Sequence, residues 1–449
     1  MLSSEPTRRD FVKRAAAAAA GSAVLSSASS YARILGANDR LRVGVVGFSE
    51  RAMDALLPAF LELSPSHNCE LVALSDIWSL RRDEGVGWIR EQTGRAPAAA
   101  RNNDELYARS DVDAVIISTA DFQHAPHAVE AMEAGRDVYV EKPLANRMED
   151  ARRFLDTAER TRRIVQVGTQ RRSSPLVNRI RDYLATGEFG ELVAVEIASN
   201  ANQPDRWRRP ELVRKLRAED TDWTRWLAGR TDDAFDARKY VEFRLFWPYS
   251  SGLPGQWMVH PIDALHYMTG HTRPRNVVAT GGIYSWHDGR VNPDTITAVF
   301  EYGPTSSDRG GFQVTYTSRM GNSAGNRELY YSNRGTLDAH DGAVTPDGGL
   351  TERSARRAGV KPNLVEARSL KTPDAPAGSR ETAQTRTGAN PTVVAHMKNW
   401  IESIRTRKPA VADARAGFDQ AVALCMTIAA LHTGRKVSFD EAAQKVLTE

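Results

Sequence analysis

Residues 41–52 read LRVGVVGFSERA. The opening eight residues form an apolar, β-branched run that ends near a glycine. That is the pattern of a strand buried on both faces. ERAMDALLPAFLEL (50–63) then has helical spacing, and SPSHN (64–68) reads as a loop. Further strands are expected at 69–76, 111–119, 136–144 and 164–170, with helices between them. Such alternation implies a doubly wound parallel sheet. From about residue 190 the pattern changes to long alternating strands, at 190–202, 274–284, 294–302, 310–320 and 327–340, with few helices between them. These predict an open, mostly antiparallel sheet. The fold class is α/β, with the parallel sheet first. Residues 341–390 are rich in Gly, Pro, Ser, Thr and Arg and read as a loop insert. Residues 391–449 read as helices packing back on the core.

The turn after the first strand decides what the first sheet could hold. A dinucleotide turn needs a tight bend, close backbone approach to phosphate, and close helix packing. Gly47, Ser49 and Ala52 stand at those places, with Glu50 between the last two; only Gly47 is glycine. Asp76 ends the second strand, where a carboxylate accepts from ribose hydroxyls and repels a 2′-phosphate. It therefore favours NAD over NADP; a solvated strand-end aspartate is the other reading of the same residue.

The chain has 449 residues, enough for two domains. It is 41% hydrophobic and 26% charged, with net charge +4 and no basic tail. That balance gives no argument for nucleic acid. No apolar run approaches the roughly 20 residues of a membrane span. Two distant cysteines, Cys69 and Cys425, read as buried free thiols. At the N-terminus, TRRDFVKR (7–14) precedes an alanine-rich stretch and SSASS (26–30). This is the order of an export signal, with Arg8–Arg9 of the twin-arginine type. Residues 1–30 are therefore expected to engage the Tat machinery and direct a periplasmic or otherwise exported protein.

AGRDVYVEKP (134–143), TADFQH (119–124), GTQRR (168–172), GELVAVE (190–196), HPIDALHYMTG (260–270) and DGRVNPDT (288–295) all occur in the chain. Together they resemble the Gfo/Idh/MocA family of glucose–fructose oxidoreductase and inositol dehydrogenase, and most closely its Tat-exported bacterial branch. The resemblance covers most of residues 40–440. It implies an NAD-binding Rossmann domain at 40–170, a substrate and oligomerisation domain at 171–390, a homo-oligomer, and a carbohydrate substrate. By the same resemblance Lys142 is the active-site lysine and His260 the catalytic histidine. Glu141 and Pro143 shape the turn around Lys142, commonly through a cis peptide. Thr119, Ala120, Asp121, His124 and Gln170 lie beside the cofactor. Arg171, Gln256 and Asp263 face substrate, and Trp247 is one of several aromatics able to stack on a sugar ring. Family dehydrogenases usually carry aspartate where Gln256 stands.

These residue types suit alcohol oxidation. A hydroxyl proton must leave while hydride departs from carbon. His260, with an ordinary pKa of about 6.5, can take the proton. Lys142 can donate to the same oxygen. In QWMVHPIDALHY (256–267), His260, Asp263 and His266 fan too widely over a helix for a zinc pair, so no metal is expected. Pro261 suits a first helical turn, which puts His260 at the helix mouth. Three activities fit: net NAD-dependent dehydrogenation; a glycosidase, lyase or epimerase that retains NAD; and a non-catalytic sugar-binding or interaction protein.

Overall fold

The structure, a computed structural model, describes residues 39–304, 310–371 and 385–449. The Arg8–Arg9 segment and part of the 341–390 insert lie outside the described residues.

β1 (Leu41–Val46) is an interior strand, with Val43, Val45 and Val46 fully or almost fully buried. β2 (Cys69–Ser75), β3 (Ala98–Ala100), β4 (Ala114–Ile117), β5 (Asp137–Val140) and β6 (Val165–Val167) complete a parallel sheet in the order β3-β2-β1-β4-β5-β6. This is the Rossmann order. Its direction reverses between β1 and β4, which opens a crevice beyond their C-terminal ends. The loop after β1 and the loop after β4 flank that crevice.

The helix after β1 begins at Glu50, passes through a π turn at Ala52–Leu56, and continues as α1 (Leu57–His67). SPSHN is thus mostly helix rather than loop. Pro65 cannot donate to the Leu61 carbonyl four residues back. Arg386 Nη2 takes that carbonyl at 2.5 Å, so the proline costs little there. Asn68 ends the helix in the left-handed region at φ 42°.

The second sheet has ten strands, with β7 (Leu192–Ala198) parallel to β10 (Phe312–Arg319) and the other pairings antiparallel. β9 (Thr295–Tyr302) shows why one face packs. Ile296, Ala298, Phe300 and Tyr302 are buried, while the alternate residues are only partly covered. Parts of 341–390 are sheet edge rather than loop: Ala343–Thr345 and Arg368–Ser369 add short strands, with a helix at Glu352–Ala358 between them.

Several helices join the domains. α2 (Ser79–Thr93), α3 (His124–Glu133) and α4 (Met148–Thr161) belong to the first sheet, and α5 (Pro175–Ala185) leaves it. α6 (Val259–Thr269) packs on α5. α7 (Pro391–Thr406) buries Val393, Met397, Trp400 and Ile401 among Leu57, Phe60 and Tyr139. Val167 N–H donates to Ala412 O at 2.8 Å, so the segment after α7 closes the free edge of β6. α8 (Ala414–Thr433) has the length and apolarity of a membrane span, but it is a core helix in contact with α4 and β8 (Asn276–Gly282). After it, Val437–Asp440 and Lys445–Thr448 extend the second sheet, where the sequence pattern predicts only helices. Cys69 and Cys425 are buried free thiols.

Candidate active site

Gly47 sits at φ +84°. A β-carbon there would lie 2.7 Å from Thr119 Cγ2 and 2.9 Å from the Ser118 carbonyl, so the bend needs glycine. Ser49 Oγ pairs with Ser118 Oγ at 2.7 Å and accepts from Ala52 N–H at 3.2 Å. Serine therefore ties the turn to the β4 loop and caps the helix start, which explains its place where glycine is usual. Asp76 accepts from Phe48 N–H and Trp78 N–H, both at 2.9 Å. Burial nevertheless pushes its carboxyl upward. Gly47, Ser49, Glu50, Asp76, Ser118, Thr119 and Ala120 line one cavity of about 610 Å³. A glycine-shaped bend, a helix N-terminus and a strand-end carboxylate in one cavity fit a dinucleotide. Ala52 is buried behind the turn.

A larger cavity of about 1700 Å³ adjoins it and holds Lys142, His260, Gln256, Arg171, Gln170, Glu141 and His124. The Lys142–Pro143 peptide is cis. Lys142 Nζ donates to the Gln256 main-chain oxygen at 2.8 Å. α6 is entered through a π turn at Pro254–Met258, and Pro261, five residues after Gln256, has no N–H to return to it. The helix therefore starts well before Pro261, and His260 is within it rather than at its mouth.

Gln256 is fixed at its side chain too. Its Nε2 donates to Asp121 Oδ2 at 2.6 Å, and Arg244 Nε donates to its Oε1 at 3.1 Å. Ser250 Oγ also donates to Asp121 Oδ2, at 2.6 Å. A carboxylate thus stands one amide behind the expected place, supplied by the β4 loop. Asp121, which the motif placed only beside the cofactor, and Arg244, which no motif marked, are both joined to Gln256 by contacts across the fold.

Glu141 accepts from Arg51 at 3.1 Å and Gln170 at 2.9 Å. Burial opposes its charge, but Arg51, Lys142 and His124 outweigh that and hold its carboxyl below the ordinary value. His124 sets Nδ1 2.8 Å from the Pro143 carbonyl and Nε2 3.2 Å from the Thr119 carbonyl; burial lowers its pKa, and the neutral ring donates its one N–H to one of the two. Burial lowers Lys142 to about 8 against the pull of Glu141 and Asp121. Burial, then the charges of Lys142, Arg51 and Arg171, push His260 well below its ordinary value. His260 makes no hydrogen bond among the described residues, and it is neutral at working pH.

Other residues fall elsewhere. Asp263 is buried in a bidentate pair with Arg172, at 2.9 Å from both Nε and Nη2, and does not line the cavity. It neither meets substrate there nor supports His260. Trp247 lines neither cavity; its ring packs edge-on against His432 at 4.8 Å. His266 is buried against Tyr302 OH at 2.8 Å. Arg171 does line the cavity, paired with Glu328 at 2.8 Å. Among the described residues no three His, Cys, Asp or Glu side chains converge as metal ligands.

The chain between β7 and α6 passes over the smaller cavity. Arg209 pairs with Glu50 at 2.6 Å, Gln123 Nε2 donates to Trp226 O at 2.7 Å, and Arg230 pairs with Asp150. Trp78 bridges to Thr221, and Phe122 packs edge-on with Trp226 at 5.2 Å. Trp207, Trp226, Tyr240 and Phe243 face Gly47, Asp76 and Thr119 across the cavity and roof it.

Residues 41–169 match the oxidoreductase family with an NAD-binding Rossmann fold, GFO_IDH_MocA. A glycosyl hydrolase family 109 protein of Shewanella baltica (strain OS185) is 33% identical over 236 residues, covering 48% of this chain and 50% of the relative. An alpha-N-acetylgalactosaminidase of Shewanella oneidensis is 33% identical over 240 residues, with the same coverage. The chain thus spans about half the length of the curated relatives it matches. The WlbA dehydrogenase from Bordetella pertussis, solved with NADH and UDP-GlcNAcA, superposes with TM-score 0.62 at 16% identity, over 89% of this chain and 98% of that one. Levoglucosan dehydrogenase, solved with NADH and levoglucosan, superposes with TM-score 0.63 at 15% identity, over 89% and 99%. The match to the Gfo/Idh/MocA oxidoreductase family model thus rests on the Rossmann segment, residues 41–169, that holds the glycine bend and the strand-end aspartate.

Proposed function

We propose that the protein oxidises a hydroxyl of a sugar, polyol or glycoside, with NAD as hydride acceptor. The observation that carries this is the meeting of Lys142 and His260 in one cavity that adjoins the dinucleotide crevice. NAD, when bound, supplies the acceptor for the hydride and its electron pair. Neutral Lys142 takes the hydroxyl proton as the carbonyl forms. This departs from assigning that proton to His260, which is too weakly basic in its surroundings. His260 instead offers a neutral imidazole to hydrogen-bond the reacting oxygen. Gln256 holds Lys142 in place through its main chain and Arg244 through its side chain.

A second reading is favoured by the roof over the crevice and by the relatives named as glycosidases. In it the cofactor stays bound, and oxidation at one carbon acidifies the neighbouring C–H. Bound NAD would supply both that oxidation and its reversal, while the residues of the larger cavity would take the acidified C–H proton and admit the water that replaces the departing glycosidic oxygen. The purified protein is incubated with NAD and a panel of sugars and glycosides while NADH absorbance and products are followed. NADH equal to product supports net oxidation, product without net NADH supports recycling, and no product with any sugar sinks both. Export by way of Arg8–Arg9 and self-association through the half-open second sheet belong to the same proposal. Cell fractionation and light scattering test them.

A further inference from the structure

The larger cavity carries more positive charge than its own carboxylates balance. Arg51, Arg171 and Arg209 are each closed by an ion pair, with Glu141 at 3.1 Å, Glu328 at 2.8 Å and Glu50 at 2.6 Å. Lys142, Arg206 and Arg244 line the same cavity and have no ion-pair partner among the described residues. Their hydrogen bonds go to neutral amide oxygens: Gln256 O at 2.8 Å, Gln203 Oε1 at 2.9 Å and Gln256 Oε1 at 3.1 Å. Asp121, the buried acid behind them, already accepts from Ser250 and Gln256. Asp54 and Asp205 also border the cavity, exposed at its edge as Arg206 is, and neither pairs with Arg206 or Arg244.

An indole wall stands beside these cations. Trp207 and Trp257 lie 6.0 Å apart, and the Arg206 guanidinium is 5.6 Å from the Trp257 ring. Trp207 is held at φ +68°, a conformation that a tryptophan adopts only when its surroundings impose it. The chain thus accepts strain to place that ring where the two cavities meet. An apolar ring face next to planar, unpaired guanidinium groups suits a pyranose that bears a carboxylate or sulfate.

We infer that the substrate of this site is an acidic sugar, its anionic group held by Arg206 and Arg244 and its ring face set against Trp207 and Trp257. The inference rests on the sugar-oxidising reading above and names the substrate class. Cofactor pyrophosphate is the competing anion for Arg244, which borders both cavities; Arg206 borders only the larger.

The test titrates the NAD-saturated protein with gluco- and galacto-configured uronic acids, their methyl esters, the parent neutral sugars and sugar 6-sulfates. At least one uronic acid or sulfate is expected to bind about tenfold or more tighter than its neutral counterpart. Arg206→Gln is expected to remove that preference and leave NAD content unchanged. Equal binding of acids and esters overturns the inference. So does an Arg206→Gln protein that keeps the preference. An Arg244→Gln protein that loses NAD but keeps the acid preference removes Arg244 from it. Tight acid binding with neither NADH nor any sugar product formed sustains the acidic ligand and removes both oxidation readings. NADH formation from neutral sugars with no acid preference does the reverse.

Discussion

Lys142 titrates near 8 because burial outweighs the attraction of Glu141 and Asp121. The neutral amine is the form that accepts a proton, and its share rises as pH rises through that value. Activity is therefore expected to climb with pH across a limb near 8 in a pH–rate profile. Lys142→Arg keeps the charge at every accessible pH and is expected to lose the limb along with about 10²–10⁴-fold of the rate. Gln256→Glu places a second carboxylate beside Asp121 and close to Lys142. It favours the ammonium form, so the limb should move upward; a limb that stays put would remove Lys142 as the titrating group. At this scale the sequence carried Gly47, Asp76, Lys142 and His260, because short motifs hold them. It set Asp121 only beside the cofactor and did not mark Arg244; their ties to Gln256 run across 135 and 12 positions of chain. It misplaced Asp263 and Trp247. Residue type shows what a side chain can do, but not whether a nearby arginine or ring has already claimed it.

Elements decide which groups remain open. Pro261 is a strong signal for a first helical turn. Here it marks the far side of a π turn, and periodicity alone cannot tell those apart. The Gln256 carbonyl within that turn accepts from Lys142, so helix geometry and the placement of this lysine are one arrangement. The pair between Asp263 and Arg172 ties α6 to the loop after β6. Asp263→Ala leaves a buried guanidinium without its partner and is expected to cost about 3–5 kcal/mol. Thermal denaturation should show the loss, while the pH limb of the surviving folded enzyme stays near 8. The roof over the crevice was not legible, because its ties to the first sheet, Arg209 to Glu50 and Arg230 to Asp150, join residues 80 or more positions apart. Arg230→Ala breaks its most enclosed ion pair with the Rossmann domain. Stopped-flow displacement of NADH by excess NAD should then show faster release, and an unchanged rate would deny the roof a retaining role.

Across the whole molecule, buried apolar strands and alternating half-buried ones announce two different sheets. That contrast is what makes the α/β architecture legible in the amino-acid pattern itself. The last strands escaped it, since VSFD and KVLT are short and partly polar; VSFD pairs with the edge of β8, and KVLT pairs with VSFD. The closure of β6 by the C-terminal segment is of the same kind. Ala412 O, the Gln166 contacts to His396 O and Ala412 N–H, and the Arg407–Asp137 pair all join residues more than two hundred positions apart. Their consequence lies in the timing of synthesis. A ribosome finishes the six parallel strands long before it makes residues 391–412, so the nascent nucleotide domain must wait with an open sheet edge and an empty groove where Trp400 will sit. A fragment covering residues 40–385 is expected to be cut rapidly by trypsin and to regain resistance when a peptide of residues 386–449 is supplied. Resistance of the fragment by itself would mean that the first sheet completes its fold while translation is still under way.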